Sequence, residues 1–271
     1  MIAAYLDESG IHDGAKICVI AGYFGGVGQM RRLEKAWKRT LADFKFAMKD
    51  FHAKDLLKAD RHRPMLKALA RCAGEQKKIY PATWAIVVDD FNSFSLQQRK
   101  FLTGAMLDPV SGELVTSGCP SKPYFAPFQN IVRLITDATP VGGKANFTFG
   151  LDKQSHGYVV DMFSRITKDA AVDKPYSIWK SKERLGDALF PLAAETPQLQ
   201  AADLLVHLEY RMLDDWRTAG KKGQSPPHIY EFMELCLSNM RNKGDHIYQD
   251  KALLQQAINQ AKRFAPGWKD Q

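Results

Sequence analysis

The fold is decided near the N-terminus by residues 2–26, which read IAAYLDESGIHDGAKICVIAGYFGG. Two apolar runs, Ile2–Leu6 and Ile17–Phe24, flank a polar stretch that contains the dipeptide Asp13-Gly14. Asp-Gly between two such runs is typical of a β-hairpin. We therefore predict two adjacent antiparallel strands at the start of the chain, with Asp7 at the end of the first.

Helical and strand patterns alternate along the rest of the chain. Apolar residues at every third or fourth position predict helices over Gln29–Lys45, Ala53–Ala73 (interrupted at Pro64), Leu96–Met106, Phe125–Thr136, His156–Lys168 and Gln198–Arg217. Further strands are predicted over Tyr80–Val88, Ala145–Leu151 and Tyr176–Trp179. This order indicates an α/β domain over residues 1–217. Two more helices, near Ile229–Met240 and Lys251–Phe264, predict a C-terminal helical extension over residues 218–271 that packs on it.

The composition excludes several classes of protein. Of the 271 residues, 45% are hydrophobic and 25% charged, which is ordinary for a globular protein and unlike a disordered or fibrous chain. The apolar runs are too short to span a membrane, and Asp7 and Glu8 interrupt the first one, so we expect no membrane span and no signal peptide. The four cysteines form no CxxC pair, which favours free thiols in a reducing compartment and a cytoplasmic location. A net charge of +8 favours a polyanionic partner.

One acidic residue lies inside an apolar helix, in LQAADLLVHL at residues 199–208. On a helical wheel, most sides of this helix are apolar, and a narrow polar stripe remains, made of Gln200, Asp203, His207 and Arg211. A buried carboxylate needs a compensating partner. A divalent metal, His207 and Arg211 all qualify, so the stripe faces either a polar pocket or an internal network.

Two other acidic residues, Asp7 and Asp152, each follow an apolar strand. A strand-end aspartate is often a turn residue, but these two carboxylates and Asp203 on the buried helix can also surround a pair of metal ions. Mg²⁺ and Mn²⁺ prefer carboxylate oxygens and bind between protein acids and substrate phosphates. Two ions about 3.5–4 Å apart promote hydrolysis of a phosphodiester. The sequence therefore predicts that Asp7, Asp152 and Asp203 are metal ligands.

Several of these segments resemble a known family. YLDESG at residues 5–10 and LQAADLL at residues 199–205 resemble the ends of the bacterial family 3800 of domains of unknown function. DFHAKDL at residues 50–56 is similar to that family's acidic, hydrophobic and histidine segment, and Phe147–Lys153 to its internal strand that ends in Asp. The resemblance spans most of residues 1–215. The family is grouped with the ribonuclease-H-like superfamily, which includes integrases, transposases and resolvases.

The resemblance implies a ribonuclease-H-like mixed sheet with helices on both faces and a carboxylate cluster that binds Mg²⁺ or Mn²⁺. It makes Asp7 the ligand from the first strand, Asp152 the ligand from a neighbouring strand and Asp203 the ligand from a late helix. His52 joins them as a ligand or as a proton shuttle near pH 7. Glu8 is expected on the opposite face of its strand from Asp7. The additional candidates are Glu8, Asp50, Gln200 and His207, while Asp50, Asp89 and Glu195 compete for the fourth acidic position.

The leading hypothesis is a metal-dependent nuclease that hydrolyses DNA or RNA phosphodiester bonds through a divalent metal pair. One alternative is a non-catalytic module that binds nucleic acid or protein and in which Arg211 holds Asp203. Another is a metal-dependent phosphohydrolase of small nucleotides. A homodimer is compatible with each of them.

Overall fold

A computed structural model describes residues 1–12, 14–107, 114–115, 119–150, 157, 159–160, 163, 181–218, 227–239 and 246–264. Its strands are β1 (Ile2–Ser9), β2 (Ile17–Gly26), β3 (Ile79–Val87), β4 (Met106–Leu107), β5 (Leu114–Val115), β6 (Ala145–Gly150), β7 (Leu185–Leu189) and β8 (His246–Gln249). Its helices are α1 (Val27–Asp43), α2 (Ala53–Leu56), α3 (Arg63–Gly74), α4 (Val88–Asn92), α5 (Leu96–Leu102), α6 (Phe125–Asp137), α7 (Pro197–Thr218), α8 (Pro227–Cys236) and α9 (Lys251–Phe264). Short 3₁₀ helices cover Met48–Asp50, Asp60–His62, Lys182–Arg184 and Ala193–Glu195.

Six strands form one mixed sheet in the order β7-β6-β1-β2-β3-β8. The pairs β1–β2 and β2–β3 are antiparallel, whereas β1–β6, β6–β7 and β3–β8 are parallel. The short strands β4 and β5 pair with each other apart from this sheet. Helices cover both faces of the large sheet. The prediction of an α/β fold with a mixed sheet flanked by helices is confirmed.

The predicted N-terminal hairpin is present, and β1 pairs with β2 along its whole length. The first strand continues to Ser9, so Asp7 lies inside it and pairs with Ala21. The strand β1 extends beyond its apolar residues because it is hydrogen-bonded on both sides. Its pairing with β2 and its pairing with β6 both include Asp7. Gly10 then takes a φ of +76°, where a Cβ would lie 1.8 Å from the Ile17 carbonyl oxygen. Asp13 of the predicted turn lies outside the described residues.

The two faces of the sheet bury separate hydrophobic cores. On β1, Ala4 and Leu6 face a core shared with α6 and α9, whereas Ala3 and Tyr5 face a core shared with α1, α3, α7 and α8. Alternation along a strand requires this division. Ser9 lies on the same face of β1 as Ala3 and Tyr5, and its hydroxyl contacts His207 of α7. The side of β1 that faces α7 is therefore the side where a site can form.

The C-terminal segment takes part in both cores. The two predicted helices are present as α8 and α9, and between them β8 adds a strand to the sheet beside β3. Phe232 of α8 is buried in the core that contains α7, and Leu254 of α9 in the opposite core. The indole Nε1 of Trp84 donates to the Gln249 Oε1 at 3.0 Å, which fixes the new edge strand. The described part of residues 218–271 thus completes the sheet as well as packing on it.

Some sequence predictions fall partly or wholly outside the described residues. The predicted strand Tyr176–Trp179 lies outside them, and of the predicted helix His156–Lys168 only residues 157, 159, 160 and 163 are described, all helical. The sequence analysis did not predict β7. Within the portion that the structure describes, no helix has the length and apolar character that a membrane crossing requires.

Candidate metal centre

The long helix α7 is the framework of the site. Every residue from Pro197 to Val206 is buried, because this part of the helix lies between the sheet and the helices α1 and α2. The predicted polar stripe is present inside this environment. Gln200 is 1% exposed and Asp203 7%, so their polar groups need partners within the protein.

The stripe holds the backbone of the segment Met48–Leu57. Gln200 donates through Nε2 to the Met48 carbonyl oxygen at 2.8 Å. The Oδ2 atom of Asp203 accepts from the backbone N–H of Ala53 at 2.8 Å. Arg211 donates through Nη1 to the Leu57 carbonyl oxygen at 3.1 Å. The stripe is therefore an internal network along most of its length.

Three side chains converge where this segment crosses α7. His52 precedes α2 in an extended conformation, with φ −149° and ψ 107°. Its ring meets the ring of His207 edge to face, with centroids 5.9 Å apart. The Nε2 atom of His207 lies 3.2 Å from Oδ1 of Asp203. One ligand atom from each of the three residues lies within 4.8 Å of the other two, so the group could hold a metal ion.

Each imidazole has a second contact that orients it. The Nδ1 atom of His52 lies 2.9 Å from Oδ2 of Asp55, and Nδ1 of His207 lies 3.5 Å from the Ser9 hydroxyl. Metal-binding histidines usually have one ring nitrogen held in this way while the other binds the ion. Hydrogen bonds from Lys58 and then His52 lower the pKa of the Asp55 carboxyl to about 2. Asp55 is thus an anionic partner for His52 at neutral pH.

The group lies between the core and the solvent. The side chains of Asp203 and His207 are 10% and 14% exposed, whereas that of His52 is 57% exposed. Two imidazole nitrogens and one carboxylate oxygen form a donor set that suits divalent transition ions. The three residues therefore fit a metal ion that is open to a ligand on the His52 side.

Asp7 lies on the same side of the sheet but outside this group of ligand atoms. Its Oδ1 accepts from the Glu8 backbone N–H at 2.9 Å. A Cβ at Gly150 would lie 3.1 Å from that Oδ1 and 3.6 Å from Cδ2 of Leu199. The Asp7 carboxylate and Leu199, which lies one turn before Asp203 on α7, thus both border Gly150. Asp152 lies outside the described residues and stays a prediction.

The additional candidates occupy different environments. Glu8 is on the opposite side of β1, as expected, where burial and then the Glu8 carboxylate, which accepts from the hydroxyl, raise the pKa of Tyr124. Asp50 ends a 3₁₀ helix and is exposed. Gln200 uses both ends of its amide within the protein, since its Oε1 accepts from Nε1 of Trp37 at 3.0 Å. His207 is a full member of the group.

Two features of the site were not fully predicted. The spacing of four residues placed His207 on the polar stripe with Asp203 and made it a possible partner of that carboxylate, but His207 was only an additional candidate for the metal site. Asp55, which follows His52 by three residues, was not considered. Arg211 was expected to hold Asp203 in one alternative, but its described hydrogen bond goes to Leu57.

Comparison with known proteins identified no relative. No protein-family model matches the chain, and no curated protein matches it. The resemblance of YLDESG and LQAADLL to family 3800 therefore stays a prediction from those residues. What the protein does has to be inferred from its own site.

Proposed function

We propose that the protein is a metal-dependent hydrolase of nucleic-acid phosphodiester bonds, with an ion held by His52, Asp203 and His207. The observation that supports this most is the convergence of three ligand atoms within 4.8 Å on a partly open surface. Three protein ligands leave coordination positions for water and substrate. A divalent ion bound there would supply Lewis-acid activation of the phosphoester and of water. Asp7 and Asp152 stay predicted ligands of the metal pair, together with Asp203.

The protein's own groups keep the donor atoms in place. The Ala53 N–H fixes one oxygen of Asp203, which leaves the other beside His207. Asp55 and Ser9 orient the two imidazoles from outside the group. Such preorganisation reduces the cost of bringing three ligands together when an ion binds.

The donor set favours Mn²⁺ over Mg²⁺ among the two ions that the sequence predicts. Mg²⁺ prefers oxygen ligands and an octahedral shell that keeps several waters. Imidazole suits softer transition ions better than Mg²⁺. We therefore propose Mn²⁺ as the ion that supports activity.

The surface around His52 supports a polyanionic substrate. Residues 45–67 contain seven Lys and Arg residues against three Asp residues. Lys49, Lys54 and Lys58 are all exposed and flank His52 in the chain. Basic side chains beside a site attract phosphate backbones and favour their binding at low salt.

The test is cleavage of labelled single-stranded and double-stranded DNA and RNA oligonucleotides by the purified protein with Mn²⁺. We expect Asp203→Asn and His52→Ala to lower the cleavage rate by at least about 100-fold, because each removes a ligand. Asp137→Asn is the matched control, since Asp137 pairs with Arg133 on α6, which packs on the other face of the sheet. Equal cleavage by the wild type and both site variants would overturn the proposal.

Two further outcomes separate the alternatives. Mn²⁺-dependent hydrolysis of mononucleotides but not of oligonucleotides would favour the small-nucleotide phosphohydrolase. Oligonucleotide binding without cleavage and without Mn²⁺ binding would favour the non-catalytic module, with the polar stripe serving only to hold the segment Met48–Leu57.

A further inference from the structure

We propose that Arg211 and Gln200 are positioning residues that hold His52 at the metal site, a role that rests on the metal binding proposed above. Neither residue belongs to the group of three ligands. Both act on the backbone of the segment that carries His52, at points on either side of it. Each residue of the polar stripe of α7 would then either bind the ion or position the segment that carries His52.

The segment needs such support because it has little regular structure of its own. It consists of a 3₁₀ helix of three residues and the four-residue helix α2, joined by Phe51 and His52. Helices this short are not stable without tertiary contacts. Three hydrogen bonds between α7 and the segment, at Met48, Ala53 and Leu57, therefore help to fix the backbone near His52. They act together with the burial of the segment's apolar side chains in the core.

The orientation of Gln200 is determined by its neighbours. The indole Nε1 of Trp37 donates to Oε1 of Gln200, and the amide nitrogen is left to donate to Met48. An exchange of the amide oxygen and nitrogen would place two donors against each other at Trp37. Trp37 also packs edge to face on Phe51, the residue before His52, with ring centroids 5.5 Å apart. Trp37 and Gln200 thus hold the N-terminal end of the segment as one unit.

Arg211 holds the opposite end. It lies two helical turns after Asp203, about 12 Å along the axis at 1.5 Å per residue. Its acceptor is the carbonyl oxygen of Leu57, the residue that directly follows α2. Anchoring the end of α2 prevents the helix from shifting relative to α7, and His52 shifts with α2.

His52 is the ligand that depends most on this support. Asp203 and His207 project from a long, buried helix, whereas His52 is 57% exposed and comes from the short segment. A ligand displaced by about 1 Å loses much of its contribution to a site. The affinity for an ion should therefore respond to contacts that fix His52.

The experiment measures Mn²⁺ affinity by isothermal titration calorimetry for the wild type, Arg211→Ala, His52→Ala and the double variant. We expect Arg211→Ala to weaken Mn²⁺ binding by about 10-fold in the wild-type background. In the His52→Ala background the same change should alter the affinity by less than about 2-fold, because its effect passes through His52. Loss of a positive charge alone would strengthen cation binding, so the expected sign separates positioning from electrostatics.

Two more variants complete the design. Arg217→Ala is the control, since Arg217 is on the same helix and pairs with Asp89, and it should leave the affinity unchanged. Gln200→Met should weaken binding in the same His52-dependent way, provided that its thermal unfolding shows a folded protein. If Gln200→Met does not fold, Gln200→Asn, which keeps the amide but is too short to reach Met48, replaces it in the same comparison. An Mn²⁺ affinity equal to that of the wild type would overturn the role of Gln200.

The outcomes distinguish this inference from the proposed function. A His52-dependent Mn²⁺ site whose affinity is unchanged or higher in Arg211→Ala would overturn the positioning role and leave the metal site intact. Equal weakening by Arg211→Ala with and without His52 would also overturn it, because the effect would then not pass through His52. Absence of Mn²⁺ binding to the wild type would overturn both.

Discussion

At the level of single residues, Asp203 links the fold to the proposed chemistry. One carboxylate oxygen satisfies the Ala53 backbone N–H and the other lies beside His207. Removal of the whole side chain would therefore disturb both packing and metal binding. A variant that keeps one oxygen separates the two roles.

We predict that Asp203→Asn retains the fold but loses stabilisation by Mn²⁺, because the amide oxygen can still accept from Ala53 while the negative charge is gone. Asp203→Leu should be less stable by about 1–3 kcal/mol, since it leaves a buried N–H without a partner. Thermal unfolding with and without Mn²⁺ measures both effects. An Asp203→Asn protein whose melting temperature still rises with Mn²⁺ as in the wild type would contradict the assignment.

Some of these residues could be predicted from the sequence and others could not. Asp203 could be predicted because a charged residue inside an apolar helix is rare, and the neighbouring residues in the sequence are enough to identify it. The place of His52 depends on contacts with α7, about 150 positions later in the chain, such as the bond from Ala53 to Asp203. A contact between residues so far apart in the chain leaves no pattern in the sequence around either of them. The sequence therefore indicates His52 only through the resemblance of its segment to a family.

At the level of elements, the C-terminal segment is the part whose role changes most between sequence and structure. The helical patterns of α8 and α9 were visible, but β8 is a strand of four residues that is held by pairing with β3. The strand β7 has the sequence LGDAL, which contains no run of β-branched residues. Both are edge strands of the large sheet. They are stabilised by pairing with a neighbouring strand, and the β-propensity of their own residues does not reveal that pairing.

We predict that a chain ending at residue 217 does not fold into a native structure. It would lose Phe232, Leu254 and Ile258, which are at most 1% exposed, together with an edge strand of the sheet. Leu254→Ala alone should cost about 2–5 kcal/mol of unfolding free energy. Near-ultraviolet circular dichroism and denaturant titration measure these changes. A cooperative unfolding transition for residues 1–217 would instead show that the extension is dispensable.

Across the whole molecule, the sheet separates two cores that each contain a buried free cysteine, Cys18 on one side and Cys236 on the other. Burial raises the pKa of the Cys236 thiol to about 12, against 9.0 for the unshifted group. The thiol of the unfolded chain then loses its proton at a lower pH than the thiol of the folded protein. Alkaline pH therefore favours the unfolded state.

We predict that the unfolding free energy falls as the pH rises above 9, with Cys236 contributing about 1.4 kcal/mol per pH unit until the folded thiol ionises near pH 12. Cys236→Ala should show a shallower decrease between pH 9 and 11 than the wild type. Urea titrations at pH 8, 9, 10 and 11 provide the comparison. Identical slopes for the two proteins would show that this thiol is not protected in the folded state.

The general architecture could be predicted because alternating helical and strand patterns are properties of local sequence. The arrangement of the metal ligands could not, since it depends on where α2 meets α7. Carboxylates at strand ends predicted an oxygen-rich site, whereas the described group contributes two imidazoles and one carboxylate.

The most direct test of the central claim is a crystal structure of the protein soaked in Mn²⁺, with the ion located by anomalous scattering. We predict an anomalous peak within coordination distance of one atom each from His52, Asp203 and His207. A second peak near Asp7 would agree with a metal pair. A protein that binds Mn²⁺ only elsewhere, with no peak among these three residues, would contradict the account.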